Sequence, residues 1–341
     1  FCVDTDGGWA LGQWLLAQSR EWGEFGGAAE MALAAAHGIA PGVAAPHGLG
    51  TGIRPRPREV EIELTARRLT NPPGTAPALL REARGELDAP HWTRFFERGF
   101  VASDAPHPDD VLVTFGGDGD PLLYRGLTDV LRAARHAGAL SICLQTDLAA
   151  DIGNVGGLID ALAEGLVDVI SVRIYGHTRE TYARVAKVDA LEIVMRNMER
   201  LAEAVGVVGV PIVIPRLLKV RETIGEMEAF FDAWVRRCGW AVIDAPTDRA
   251  GEVPFAGVVD MGPARRRPCR RLWDRLLIRA NGAAVACDED ARDRVALGNI
   301  ETAALADLWF SPAAETLREK HLAGRWNELA PCGTCREWFR A

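Results

Sequence analysis

From Arg58 onward the sequence repeats one unit six times: a short apolar run rich in Val and Ile, then a longer segment with helical spacing. The apolar runs cover 60–64, 111–114, 139–145, 167–174, 208–214 and 241–243. Runs of this length and composition suit strands buried on both faces. The helical segments cover 92–98, 124–137, 154–164, 179–186, 190–205 and 224–237, and the second ends His136-Ala137-Gly138, a basic last turn followed by a glycine stop. Strands alternating with helices imply parallel pairing through right-handed crossovers. The expected architecture is therefore α/β, a partial (βα)6 TIM-like barrel, because six units fall short of the eight that close a full one.

In such folds ligands gather at the carboxyl ends of the strands. The second run leads into Phe115-Gly116-Gly117-Asp118-Gly119-Asp120-Pro121-Leu122-Leu123. Gly116, Gly117 and Gly119 let backbone approach a ligand closely, and Asp120 could accept a hydrogen bond from a ligand ammonium. An ordinary glycine-rich βα turn would use the same glycines, so the loop alone leaves both readings open. Gln145-Thr146-Asp147 follows the third run, Arg173 lies near the end of the fourth, and Arg216 near the end of the fifth. Either arginine could pair with a carboxylate, although an arginine there is more often a solvated charge.

Beyond Gly251 the rhythm stops and four of the seven cysteines follow: Cys269, Cys287, Cys332 and Cys335. Asn281-Gly282 stands between two apolar segments, a hairpin signal. A hairpin there brings Cys269 and Cys287 together at its open end. Cys332-Gly333-Thr334-Cys335 is a C-x-x-C knuckle whose thiolates can share one centre. Four such sulfurs suit zinc or an iron–sulfur cluster; disulfide-bonded or unpaired cysteines are the alternative. Cys2, Cys143 and Cys238 sit in apolar contexts and read as core residues.

A net charge of −8 and a pI near 5.5 argue against nucleic acid as a partner. No apolar run is long enough to span a bilayer, and no basic region of the secretory kind opens the chain. Three regions are expected: 1–57, an extension or the tail of a preceding domain, with a helix over 11–22 and a Gly/Pro-rich linker over 38–57; 58–250, the partial barrel; and 251–341, a small cysteine-rich domain with a β-hairpin and short helices.

Taken together, these features resemble radical SAM proteins with a C-terminal SPASM or twitch domain. Carrying the likeness are Cys269, then Gly282-x4-Cys287, then Cys332-x2-Cys335, with the LGNI (297–300) and DLW (307–309) segments between them. GGDGDPLL (116–123) is similar to the family's GGEP loop, with Asp120 where glutamate is commoner, and SVRIYGHTRETYARV (171–185) is similar to its fourth-strand segment. The resemblance implies an auxiliary 4Fe-4S cluster on Cys269, Cys287, Cys332 and Cys335, and a nucleoside-binding role for Gly116, Gly117, Gly119 and Asp120, with Arg173 as a weaker candidate. Its C-x3-C-x2-C motif has no counterpart. Aligning Glu63-x-Thr65 with the family's E-x-T puts Arg68, Pro72 and Thr75 at the three cysteine positions, and none is a thiol. The expectation is a degenerate or accessory member that lacks the SAM-cleaving cluster, binds a peptide or small molecule, contacts neither nucleic acid nor membrane, and resides in the cytoplasm. Without that cluster's iron, binding of S-adenosylmethionine is not assured. The alternatives are an active radical SAM enzyme modifying a peptide or small molecule, and a zinc-binding structural protein. The opening CVDTD and the Gly/Pro-rich stretch faintly resemble the end of the nucleotidyltransferase-like domain of the spiro-SPASM subgroup.

Overall fold

In the computed structural model the described residues are 56–98, 111–150, 157–205, 211–260 and 262–340. The expected helix over 11–22, Cys2, the CVDTD segment and residues 38–55 of the expected linker lie outside them.

All strands of the described residues belong to one sheet. Six follow the barrel rhythm: β1 (Glu59–Ile62), β2 (Leu112–Phe115), β3 (Ser141–Thr146), β4 (Val169–Ile174), β5 (Ile212–Leu218) and β6 (Val242–Asp244). Three more come from the cysteine-rich region: β7 (Arg275–Ile278), β8 (Ala283–Val285) and β9 (Ala296–Asn299). The order is β6-β5-β4-β3-β2-β1-β7-β8-β9. From β6 to β7 every pairing is parallel, and β7-β8-β9 is an antiparallel meander. The hairpin therefore does not stand apart: β7 lies beside β1 in the register Glu59↔Arg275 to Ile62↔Ile278.

Val60, Ile62, Val113, Phe115, Ile142, Leu144, Ile170 and Val172 are all at most 1% exposed, as expected of strands covered on both faces. The helices of the barrel are α1 (Ala78–Glu82), α2 (Ala89–Glu97), α3 (Leu127–His136), α4 (Leu158–Ala163), α5 (Arg179–Ala186), α6 (Leu191–Val205) and α7 (Met227–Cys238). In α3, Leu127, Val130, Leu131 and Ala134 form one buried stripe, and Gly138 takes φ +92° after the basic last turn. The cysteine-rich region adds α8 (Arg271–Asp274), α9 (Leu305–Trp309) and α10 (Pro312–Leu322). No helix among the described residues is long and apolar enough to cross a membrane.

Two elements differ from expectation. Helix α1 is short and carries exposed Leu79, so it shows no amphipathic stripe. The fifth strand runs four residues further than expected, through Pro215. That proline is tolerated because pairing with β6 begins only at Arg216.

Candidate functional site

Strand β1 ends in a loop that crosses the barrel mouth, and Arg68 is its anchor. Its side chain is only 3% exposed. Nε and Nη2 each lie 2.8 Å from an oxygen of Asp147, a bidentate pair. Nε also meets Thr70 Oγ1 at 2.9 Å, and Nη2 donates to the Tyr175 hydroxyl. Tyr175 in turn donates to Asp147 at 2.7 Å, and Arg173 Nε lies 3.1 Å from the same carboxylate. Burial alone would raise the Asp147 carboxyl, but Arg68 and Arg173 overcome it and hold it at about 2. Burial likewise opposes the charge on Arg68, and Asp147 more than restores it. Pro72 and Thr75 make a local turn, Thr75 donating to the Pro72 carbonyl through N–H and Oγ1. The three positions aligned with cluster cysteines are thus an ion-paired arginine and a closed turn.

The glycine-rich loop reaches the same place, where it packs against its own chain. A Cβ on Gly119 would lie 1.7 Å from the Thr65 carbonyl oxygen, so only glycine lets these two backbones pass. Gly117 holds φ +88° with Glu63 beneath it, and Gly116 rests on Gln145. Asp120 accepts from Leu122 N at 3.1 Å, from Thr146 Oγ1 at 2.8 Å and from Asp147 N at 3.0 Å. Both of its oxygens are therefore engaged. Arg173 spends its guanidinium on Asp147 and on the carbonyls of Gly117 and Gln145. Arg216 pairs with Asp244 at 2.5 Å. The structure thus brings Gly116, Gly117, Gly119, Asp120 and Arg173 together, with Arg216 on the neighbouring strand opposite Arg173.

Beside them lies a second buried ion lattice that sequence reasoning missed. Asp118 receives Arg84 at 2.9 Å, Arg249 at 2.6 Å and Arg279 at 3.5 Å, and Glu63 lies 3.3 Å from Arg84. Burial opposes ionisation of Asp118, yet three guanidiniums keep its carboxyl far below its ordinary range. Arg279, fully buried, comes from the β7–β8 turn, so the hairpin contributes to the barrel mouth. The one local clue was a charge beside an otherwise apolar strand.

The turn itself is closed by Gly282 N–H donating to the Arg279 carbonyl at 2.8 Å, with Gly282 at φ +79°. It sets Cys269 before β7 and Cys287 after β8. None of the six described cysteines is disulfide-bonded. Cys269 is near enough to Cys287, Cys332 and Cys335 to help raise the thiol of each. Three of the sulfurs accept a backbone N–H from the residue two positions on: Cys269 from Arg271, Cys287 from Glu289 at 3.4 Å, and Cys335 from Glu337 at 3.3 Å. Such dipoles favour thiolate over thiol. Burial raises all four thiols above their ordinary value, Cys332 to about 11, so an inorganic centre would have to displace their protons. No three of the described His, Cys, Asp and Glu side chains converge tightly enough to hold a single metal ion. The donor set of four neighbouring sulfurs, three already bonded by N–H groups, fits a sulfur-liganded cluster.

The knuckle is tied to the barrel. Thr334 Oγ1 donates to the Ala250 carbonyl at 2.6 Å, Arg336 Nε lies 3.2 Å from Asp248, and Arg340 donates to the Ala245 carbonyl at 3.1 Å.

Known proteins share these features. Residues 269–336 match the SPASM family, an iron-sulfur cluster-binding domain. A curated protein of Treponema pallidum (strain Nichols), named only as uncharacterized, is 25% identical over 236 residues, 65% of this chain. The chain covers 62% of that relative's length. Among solved structures, Streptococcus suis SuiB bound to precursor peptide SuiA superposes with a TM-score of 0.62 at 13% identity, over 77% of this chain and 67% of that one. For anSMEcpe with bound AdoMet the values are 0.57 and 12%, over 82% and 88%. For BtrN in complex with AdoMet and 2-DOIA they are 0.51 and 14%, over 82% and 92%. Residues 269–336 thus match the SPASM family, and they follow a partial barrel with the fold of the SuiB and anSMEcpe structures.

Proposed function

We propose that this chain is an accessory, degenerate member of the radical SAM/SPASM proteins, with one cluster in its C-terminal lobe and none at its barrel mouth. The observation that carries this is Arg68. The residue aligned with the first cluster cysteine is a buried guanidinium held by Asp147, Thr70 and Tyr175. An iron cluster there would have to displace that ion pair and would find no thiolate. The glycine loop supports the same conclusion, because both Asp120 oxygens are already bonded within the chain. S-adenosylmethionine, bound in the anSMEcpe and BtrN structures, would meet neither an iron nor a free loop carboxylate here.

Cys269, Cys287, Cys332 and Cys335 would hold an auxiliary 4Fe-4S cluster, which supplies one-electron redox chemistry when bound. Zinc draws four sulfurs to about 2.3 Å from one point. The match of residues 269–336 to an iron-sulfur cluster-binding domain supports the cluster over zinc. The SuiB structure holds a precursor peptide, which supports a peptide as the bound partner here, with a small molecule as the second candidate.

Anaerobic purification with iron and sulfide counts tests this directly. About four irons per chain are expected, and no 5′-deoxyadenosine on incubation with S-adenosylmethionine and a strong reductant. About eight irons, or reductive cleavage of the nucleoside, would refute the degenerate assignment. Iron-free protein carrying zinc would favour the structural alternative.

A further inference from the structure

Three side chains grip three different cysteines of the C-terminal set, and each keeps one buried N–H without a partner. Arg271 Nη1 lies 3.6 Å from Cys287 Sγ, while its own backbone N–H donates to Cys269 Sγ. Arg266 Nη2 donates to the Cys332 carbonyl at 2.7 Å. His321 Nδ1 accepts the Cys269 N–H at 3.2 Å. Because Nδ1 accepts, the ring proton is on Nε2.

The unpartnered atoms are Arg271 Nε, Arg266 Nε and His321 Nε2, all buried. A buried donor left without an acceptor is costly, so three beside these cysteines call for one. Other contacts fix these side chains in place. Arg271 is paired with Asp288 at 2.7 Å, and Arg266 and His321 both pack against Trp326, at 5.1 and 6.2 Å from its ring centre. His321 lies on α10 and Arg266 and Arg271 flank Cys269, so side chains from two segments meet at these cysteines.

We infer that Arg266, Arg271 and His321 form a donor ring that sets the redox potential of the sulfur-liganded centre. This rests on the cluster assignment above. One-electron reduction, from an external low-potential one-electron donor, adds a single negative charge to the centre and moves no proton. Two fixed guanidiniums and three N–H groups beside the sulfurs stabilise that added charge and raise the potential.

The test is a redox titration of the anaerobically reconstituted full chain, followed by the visible and paramagnetic signals of the reduced centre. Arg271→Gln, Arg266→Gln and His321→Phe are each expected to shift the potential to more negative values with iron held at the wild-type count. Arg271→Lys, which keeps the charge, should shift it less than Arg271→Gln. Unchanged potentials at unchanged iron content would overturn the inference. Should Arg271→Gln lose its iron, Arg266→Gln decides, since its guanidinium bonds only a carbonyl of the set: a wild-type potential there also overturns it. A wild-type chain that takes up no iron would instead remove the cluster assignment, and the inference with it.

Discussion

Arg68 shows how one side chain can close a site. Its guanidinium and the Asp147 carboxylate are both withdrawn from water, and each is tolerable only because of the other. Arg68→Met should therefore cost about 3–5 kcal/mol in urea unfolding, because it leaves a buried carboxylate short of its main counter-charge. The pH dependence follows. Asp147 titrates at about 2 in the fold against 3.8 as a free side chain, so its stabilising contribution is intact above about pH 4 and disappears as pH falls through 2. In Arg68→Met that acid-side loss should shrink, which urea midpoints measured from neutral to acid pH will show. None of this could be seen in the sequence. Asp147 and Tyr175 are 79 and 107 positions from Arg68, and no local period links them. The missing thiols themselves were plain, because their spacing is local. The glycine loop was half legible: its glycines marked a close approach, but the neighbour is Thr65 rather than a ligand.

At the level of elements, the seam between β1 and β7 is held by charge as well as by backbone. Arg275 on β7 lies 3.0 Å from Glu59 and also bonds Glu61, both on β1 and both nearly buried. Arg275→Met should destabilise the chain by about 3–5 kcal/mol. Adding Glu59→Gln and Glu61→Met should recover most of that loss, since replacing a buried ion group wholesale is far cheaper than removing one partner. Chemical denaturation of the single and triple variants checks both statements, and a triple variant no better than the single would contradict them. The strands and most helices of the barrel were readable from apolar runs and glycine stops. The β1–β7 pairing was not, because Glu59 and its partner Arg275 lie more than two hundred positions apart and hairpin signals do not specify a parallel neighbour.

For the molecule as a whole, the sulfur-rich lobe and the barrel are one mechanical object. Arg279 enters the barrel mouth, while Thr334, Arg336 and Arg340 bind the segment after β6. Removing the proposed inorganic centre should therefore loosen distant strands. Hydrogen exchange on chelator-stripped protein is expected to show lost protection in β1 and β7 and little change in β4, which has no contact with the lobe through the sheet order. Equal protection with and without iron would mean that the seam holds by itself.

The placement of β7 also has a consequence for how the chain comes into being. During synthesis Glu59–Ile62 leaves the ribosome more than two hundred residues ahead of the strand that will cover one of its sides, since Glu59 pairs with Arg275. For that interval a strand with two acidic side chains waits with one flank bare. Charges on an uncovered strand are what discourage it from adopting a stranger as its neighbour, so Glu59 and Glu61 guard the nascent chain before they ever meet Arg275.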